Sequence, residues 1–234
     1  MKKKLYPKHL NRENYFLTPI WTAYEPQFVK ELNKASDPYI KASKKRIASD
    51  IKTRNKTFGN KGDKGFVYHS TSLMNDPKFN QLSRYVVDTA TNLLKEMGHN
   101  LNDHVVFLTE LWVQEFAKDG GGHHSAHTHW NGHISGFYFL KSTNKTSRPV
   151  FHDPRPGKTM IGLPEVKKEN ITYASPEVAY NTKPGTMIFF PSYLTHEYPP
   201  DIGYDTFRFI HWNCQAISKG ALESYKKGWI DYSN

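Results

Sequence analysis

The chain has 234 residues, one cysteine, and 32 Lys and Arg against 22 Asp and Glu, for a formal charge of +10. A lone Cys214 excludes an intrachain disulfide framework and a cysteine-rich zinc cluster, so a reducing, cytoplasmic compartment is the expected setting. The basic opening Met1-Lys2-Lys3-Lys4 has no apolar segment behind it, and no run approaches about eighteen apolar residues; neither an export signal nor a membrane span is expected.

The basic residues spread through the N-terminal third (Lys41, Lys44, Lys45, Arg46, Lys52, Arg54, Lys56, Lys61, Lys64) without a recognised reader motif. They read as a solvating surface that mildly favours an acidic or macromolecular partner; nucleic acid stays open but not favoured.

In chain order, residues 1–24 hold aromatics and prolines without a period, as an edge element would. Phe28, Val29 and Leu32 predict a short helix over 25–34. The Lys-, Asn- and Gly-rich stretch 41–66 reads as the least ordered internal segment, with a turn at Gly59-Asn-Lys-Gly-Asp63. Leu82, Tyr85, Val86, Ala90, Leu93 and Leu94 recur at helical spacing over 80–97, and Gly98 stands where a C-terminal cap belongs.

From there the texture changes to short aromatic and β-branched runs: Val105–Leu108, Leu111–Phe116, Ile134–Leu140, Val150–His152, Met187–Phe190 and Thr206–Trp212. Gly120–Gly122, Pro154–Gly157, Lys183–Gly185 and Pro199–Asp201 separate them. Helices first and strands after predict a mainly β, α+β chain, a jelly roll with N-terminal helices packed outside. One compact domain is expected, with a helical and basic region over 1–100, a barrel core over 101–217 and a C-terminal helix or tail over 218–234.

Five of twelve histidines fall between His123 and His133. In extended chain, i and i+2 face one side, so His127 and His129 can ligate one ion; neutral imidazole binds divalent first-row metals generally. Sixty-seven residues beyond His129, His196 follows a short buried strand and a proline stop, and Arg208 comes twelve residues later. Arg208 shares a face with Thr206, Ile210 and Trp212, and a buried guanidinium needs a carboxylate partner. That partner is either an anionic co-substrate or a local acid such as Asp205.

Trp112-Val-Gln114, His127-Thr-His129, Ser135-Gly-Phe-Tyr-Phe-Leu140, Phe151-His-Asp-Pro-Arg155, Pro184–Pro191, His196 and Arg208 stand in an order that resembles a bacterial and phage family of 2-oxoglutarate and iron(II)-dependent oxygenases. The resemblance spans about residues 66–215. It implies a double-stranded β-helix of cupin-like type with Fe(II), 2-oxoglutarate and O2 at its open end. It further implies a hydroxylase of a protein side chain or small metabolite that yields succinate and CO2, in the host cytoplasm if phage-encoded. Carried onto this chain, it makes His127 and His196 metal residues and Arg208 the partner of the distal carboxylate of 2-oxoglutarate; His129 is the expected third metal residue by its i, i+2 place beside His127, and Tyr138 and Asn213 are further candidates for co-substrate contact.

The chain departs from the wider superfamily by placing His129 where a carboxylate would stand. His129 itself, water, or a carboxylate from elsewhere fills that corner, with Asp153 the leading outside candidate. Asp153 and Arg155 otherwise read as a structural ion pair. His123, His124, His133 and His211 are left outside the metal site, the last because it alternates away from Arg208. Trp130 and Tyr193 are placed at the substrate mouth, and Gln114 on a substrate amide or a strand closure. Two competing readings predict different chemistry: a three-histidine dioxygenase without 2-oxoglutarate, and a non-enzymatic jelly-roll binding module. Oligomeric state and substrate identity are not readable.

Overall fold

The computed structural model describes residues 11–130, 132–160, 162–167 and 169–224. The first ten residues of the expected edge element and residues 225–234 of the expected C-terminal helix or tail lie outside the described residues. The strands are β1 (Trp21–Tyr24), β2 (Val67–His69), β3 (His104–Phe116), β4 (His124–His127), β5 (Ile134–Lys141), β6 (Val150–His152), β7 (Glu177–Ala179), β8 (Thr186–Pro191), β9 (His196–Tyr198) and β10 (Arg208–Ser218). The helices are α1 (Val29–Arg46), α2 (Ala48–Phe58) and α3 (Asn80–Glu96).

A larger sheet has the order β1-β8-β5-β10-β3-β2 and a smaller one β4-β9-β6-β7, with every pair antiparallel. From β3 onward the chain passes back and forth between them: β3 large, β4 small, β5 large, β6 and β7 small, β8 large, β9 small, β10 large. This winding is the double-stranded β-helix expected from the resemblance.

Both faces of the large sheet are buried. Its outer face carries Leu111, Val113, Tyr138, Met187, Phe189, Ile210 and Trp212 into one cluster with Leu32, Ala35 and Ile40 of α1 and Leu82, Val86, Ala90 and Leu94 of α3. The inner face, one residue out of phase, puts Phe116, Phe137, Phe139, Ile188, Phe190 and Phe209 against Phe151, Leu194 and Tyr198. Each fully buried Leu, Val or Phe is worth about 1.5–3 kcal/mol, so the helices are a structural half of the core. Gly136 serves this packing, because a Cβ there would lie 2.4 Å from the Trp212 ring and 2.5 Å from the Ile188 carbonyl.

Residues 41–58 are helical, against the expectation of a poorly ordered stretch over 41–66. Ala35, Ser36, Ile40 and Ser43 continue the buried stripe of Leu32 beyond Pro38, and Lys and Arg are good helix formers at the exposed positions between. The expected turn follows: Gly59 caps α2 in the left-handed region at φ 65°. The two runs 105–108 and 111–116 are one long strand, and the predicted 80–97 helix is α3. Among the described residues, no helix is long and apolar enough to cross a membrane.

Candidate metal centre

β4 and β9 of the small sheet bring the first two predicted ligands together. His127 lies directly across from His196 in the β4–β9 register, and their ring centroids are 4.4 Å apart. The chain then leaves β4, and the amide of His129 donates to the Ser192 carbonyl at 2.9 Å, which anchors the loop carrying the third ring. The glycine loop before β4 makes this entry possible. Gly120 has φ +77° and approaches Gly203 so closely that a Cβ would meet backbone at 2.9 Å.

One ring nitrogen from each of His127, His129 and His196 lies within 4.8 Å of the others. His196 is buried against Phe190, Phe137 and Phe151, with ring centroids at 4.7, 5.5 and 6.0 Å. Its Nδ1 stands 2.9 Å from the Leu194 carbonyl, and Nδ1 of His127 stands 2.7 Å from the Ser125 carbonyl. A carbonyl can only accept, so each Nδ1 carries the proton and each Nε2 presents a lone pair. The Nε2 atoms of His129 and His196 are buried without a hydrogen-bond partner. Orphaned buried nitrogens are costly, and their convergence on one small space fits a metal ion together with its own ligands. That space is a cavity of about 30 Å³, lined by the three rings with His124, His211, Trp112, Phe137, Tyr198 and Phe209.

Burial is the first cause of the low pKa values of four histidines here, His124, His129, His196 and His211. His196 is pushed down to about 3 and His129 to about 4, with neighbouring histidines adding to the shift. His124 falls to about 4 for the same reasons, and His211 lies well below the usual value. These four rings are therefore neutral well below the titration range near 6.5 that the sequence suggests. The sign for stability follows by linkage. Below about pH 6.5 the unfolded chain binds protons that these folded-state histidines refuse, so stability falls as pH drops from 6.5 toward 3–4. Thermal melts of metal-free protein between pH 7 and pH 4 are expected to show a steady fall in Tm; a flat profile over that range would contradict the buried, neutral cluster.

The other predicted site residues divide. Asn213 reaches the cluster: its Nδ2 donates to Glu110 Oε2 at 2.9 Å and lies 3.2 Å from Nδ1 of His129. Arg208 is not brought to the histidines. Its guanidinium, buried on the outer face under α1, pairs with Glu115 at 2.7 Å and Asp37 at 2.7 Å. The alternation that set Arg208 beside Ile210 and Trp212 holds, but that face meets the helices, and the acids come from β3 and α1 rather than from Asp205. Tyr138 also points outward, donating to the Glu25 carbonyl at 2.6 Å. Asp153 is engaged by Arg155 as a surface ion pair at 2.5 Å, as its structural reading had it.

Two histidines set aside in the sequence, His211 and His124, belong to the centre, and so does Glu110, which the sequence does not single out. His211 is wholly buried, 4.6 Å from the His129 ring and 4.5 Å from Trp112, with neither ring nitrogen hydrogen-bonded. His124 lies 2.5 Å from the Gln114 amide and lines the cavity. Glu110 forms a second group with His129 and His211 whose ligand atoms again fall within 4.8 Å of one another. It is the carboxylate, sought at Asp153, that the fold brings to the histidines. The signal was present in the parity of β10, where Phe209, His211 and Asn213 share the face opposite to Arg208.

Comparison with known proteins agrees with this picture. Residues 110–208 match the model of a family described as "Putative 2OG-Fe(II) oxygenase", where 2OG is 2-oxoglutarate. Among solved structures, the non-heme alpha ketoglutarate dependent epimerase SnoN from nogalamycin biosynthesis aligns with a TM-score of 0.53 and 11% identity, over 85% of this chain and 78% of its own. A second structure of SnoN, with a TM-score of 0.51, holds Fe3+, alpha ketoglutarate and nogalamycin RO. AviO1 from Streptomyces viridochromogenes Tue57 aligns with a TM-score of 0.50 and 14% identity, over 85% of this chain and 90% of its own. At these identities the structural likeness shows the fold. Among curated proteins, none matches. Oxygenases of the matched family use Fe(II), 2-oxoglutarate and O2, the cofactor set expected from the sequence.

Proposed function

We propose, for a chain whose residues 110–208 place it with the 2-oxoglutarate and iron(II) oxygenases, that it is a hydroxylase of a protein side chain or a small metabolite, forming succinate and CO2. The observation that carries this reading is the meeting of His127, His129 and His196 at one small cavity with two buried, unpartnered nitrogens. Iron held there with 2-oxoglutarate supplies the oxidative decarboxylation that activates O2 for attack on a C–H bond.

The chain's own part is positional. His127 and His196 are locked by their Nδ1–H bonds to backbone carbonyls, so their rings need no reorganisation to bind. Phe137, Tyr198, Phe209 and Trp112 wall the cavity and limit water at the reacting centre. The family match disfavours the readings without 2-oxoglutarate and without catalysis. A macromolecular or acidic substrate in the cytoplasm suits the basic N-terminal third and the buried, lone Cys214.

The test is turnover in air with Fe(II) and 2-oxoglutarate against peptide, amino-acid and nucleic-acid pools, reading succinate and product mass. Succinate formed in step with a product heavier by one oxygen atom supports the hydroxylase. Succinate with a product of unchanged mass would replace it with another oxidation, and no succinate from any pool would remove the proposal.

A further inference from the structure

The three rings at the cavity are not equivalent, and the difference is written in their hydrogen bonds. His127 and His196 each face a carbonyl through Nδ1, but Nδ1 of His129 faces an amide nitrogen, Nδ2 of Asn213, at 3.2 Å. An amide nitrogen can only donate. The orientation of the Asn213 amide is fixed by the Glu110 carboxylate, which can only accept. Ser135 Oγ donates to Oδ1 at 2.5 Å, and Nδ2 donates to the Glu110 carboxylate at 2.9 Å. Reversing the amide would set its oxygen against a carboxylate oxygen and lose the Glu110 bond, while the Ser135 hydroxyl can donate or accept and so does not oppose the assignment. Glu110 and Asn213 are direct partners in the β3–β10 register, so the arrangement is built into the sheet.

We infer that Asn213 is a positioning residue that holds His129 in the tautomer with its proton on Nε2, so that His129 faces the cavity as a hydrogen-bond donor to a ligand of the ion while His127 and His196 supply lone pairs to the ion itself. The buried, unpartnered Nε2 of His129 is then a donor aimed into the cavity. The corner where the superfamily carries a carboxylate is left to an oxygen ligand, water or a carboxylate of the co-substrate, that accepts this N–H. The inference rests on the metal-site reading above for its consequence, but not for the tautomer itself.

Long-range 1H–15N correlation spectra of full-length, metal-free protein at pH 7 read the tautomers directly. His129 is expected with its proton on Nε2, and His127 and His196 with theirs on Nδ1. Asn213→Asp presents an acceptor in place of the donor; it is expected to move the His129 proton to Nδ1, expose the Nε2 lone pair and tighten Zn(II) binding by about tenfold. In Zn(II) titrations, His129→Gln is expected to stay within about threefold of wild type, whereas His196→Leu loses more than about 100-fold, beyond the range of outer-shell changes. A wild-type His129 proton on Nδ1 would overturn the inference. So would an unchanged tautomer in Asn213→Asp, or a loss in His129→Gln as large as that in His196→Leu. Failure of the wild type to bind Zn(II) would sink the metal-site reading instead, and the tautomer spectra would still decide the role of Asn213.

Discussion

Replacing His196 with leucine is expected to separate metal binding from folding. The imidazole is buried among Phe190, Phe137 and Phe151, and its Nε2 has no partner. In metal-free protein that orphaned nitrogen costs about 1–3 kcal/mol, while leucine fills a similar volume without a polar atom. Leucine also takes the Nδ1–H donor away from the Leu194 carbonyl, so the two changes offset and the variant should melt close to the metal-free wild type. It should also lose more than about 100-fold in Fe(II) affinity, since even outer-shell changes cost about 10–100-fold. Fe(II) at about 100 times its wild-type Kd would add about 2.7 kcal/mol to the wild type and at most about 0.4 kcal/mol to the variant. Calorimetry with and without Fe(II) checks both halves. Equal stabilisation of the two proteins by Fe(II) would remove His196 from the centre.

Arg208→Ala is expected to act in the opposite way, on stability rather than on the ion. The guanidinium joins Glu115 of β3 to Asp37 of α1, and both Arg208 and Glu115 are almost wholly buried. Removing one partner of a buried pair costs about 3–5 kcal/mol. Lys44 still reaches Glu115 at 2.6 Å, which places the loss near the lower end. At about 2–4 °C per kcal/mol for a chain of this size, Tm should fall by about 6–12 °C, with Fe(II) affinity unchanged in the folded variant. A variant with wild-type Tm and weakened 2-oxoglutarate binding would return Arg208 to the co-substrate role that the family resemblance gives it.

The two variants also show how far the sequence could be read. The β-helix was legible because its strands are short aromatic runs set off by Gly and Pro turns, and His127 and His196 stood out by residue type and by their place beside a buried strand. Parity along β10 was legible as well, since Arg208, Ile210 and Trp212 do share a face. Which face looks into the barrel was not. The large sheet is buried on both sides, by helices outside and by the small sheet inside, so both phases of β10 are rich in apolar residues. His211 and Glu110 were lost with that single choice, and Asn213 was kept only as a candidate. The helical run through Lys41–Arg46 was masked by its charge and by Pro38, although the Leu32, Ala35, Ile40 and Ser43 stripe runs straight through.

The proposed oxygenase chemistry requires the histidine corner of this barrel to hold iron together with 2-oxoglutarate. Anaerobic addition of Fe(II) and 2-oxoglutarate to the purified protein, followed by visible absorption, tests it most directly. A metal-to-ligand charge-transfer band that saturates at one Fe(II) per chain and is absent in His196→Leu is the predicted result. A wild-type spectrum unchanged by 2-oxoglutarate, with Fe(II) bound, would contradict the account.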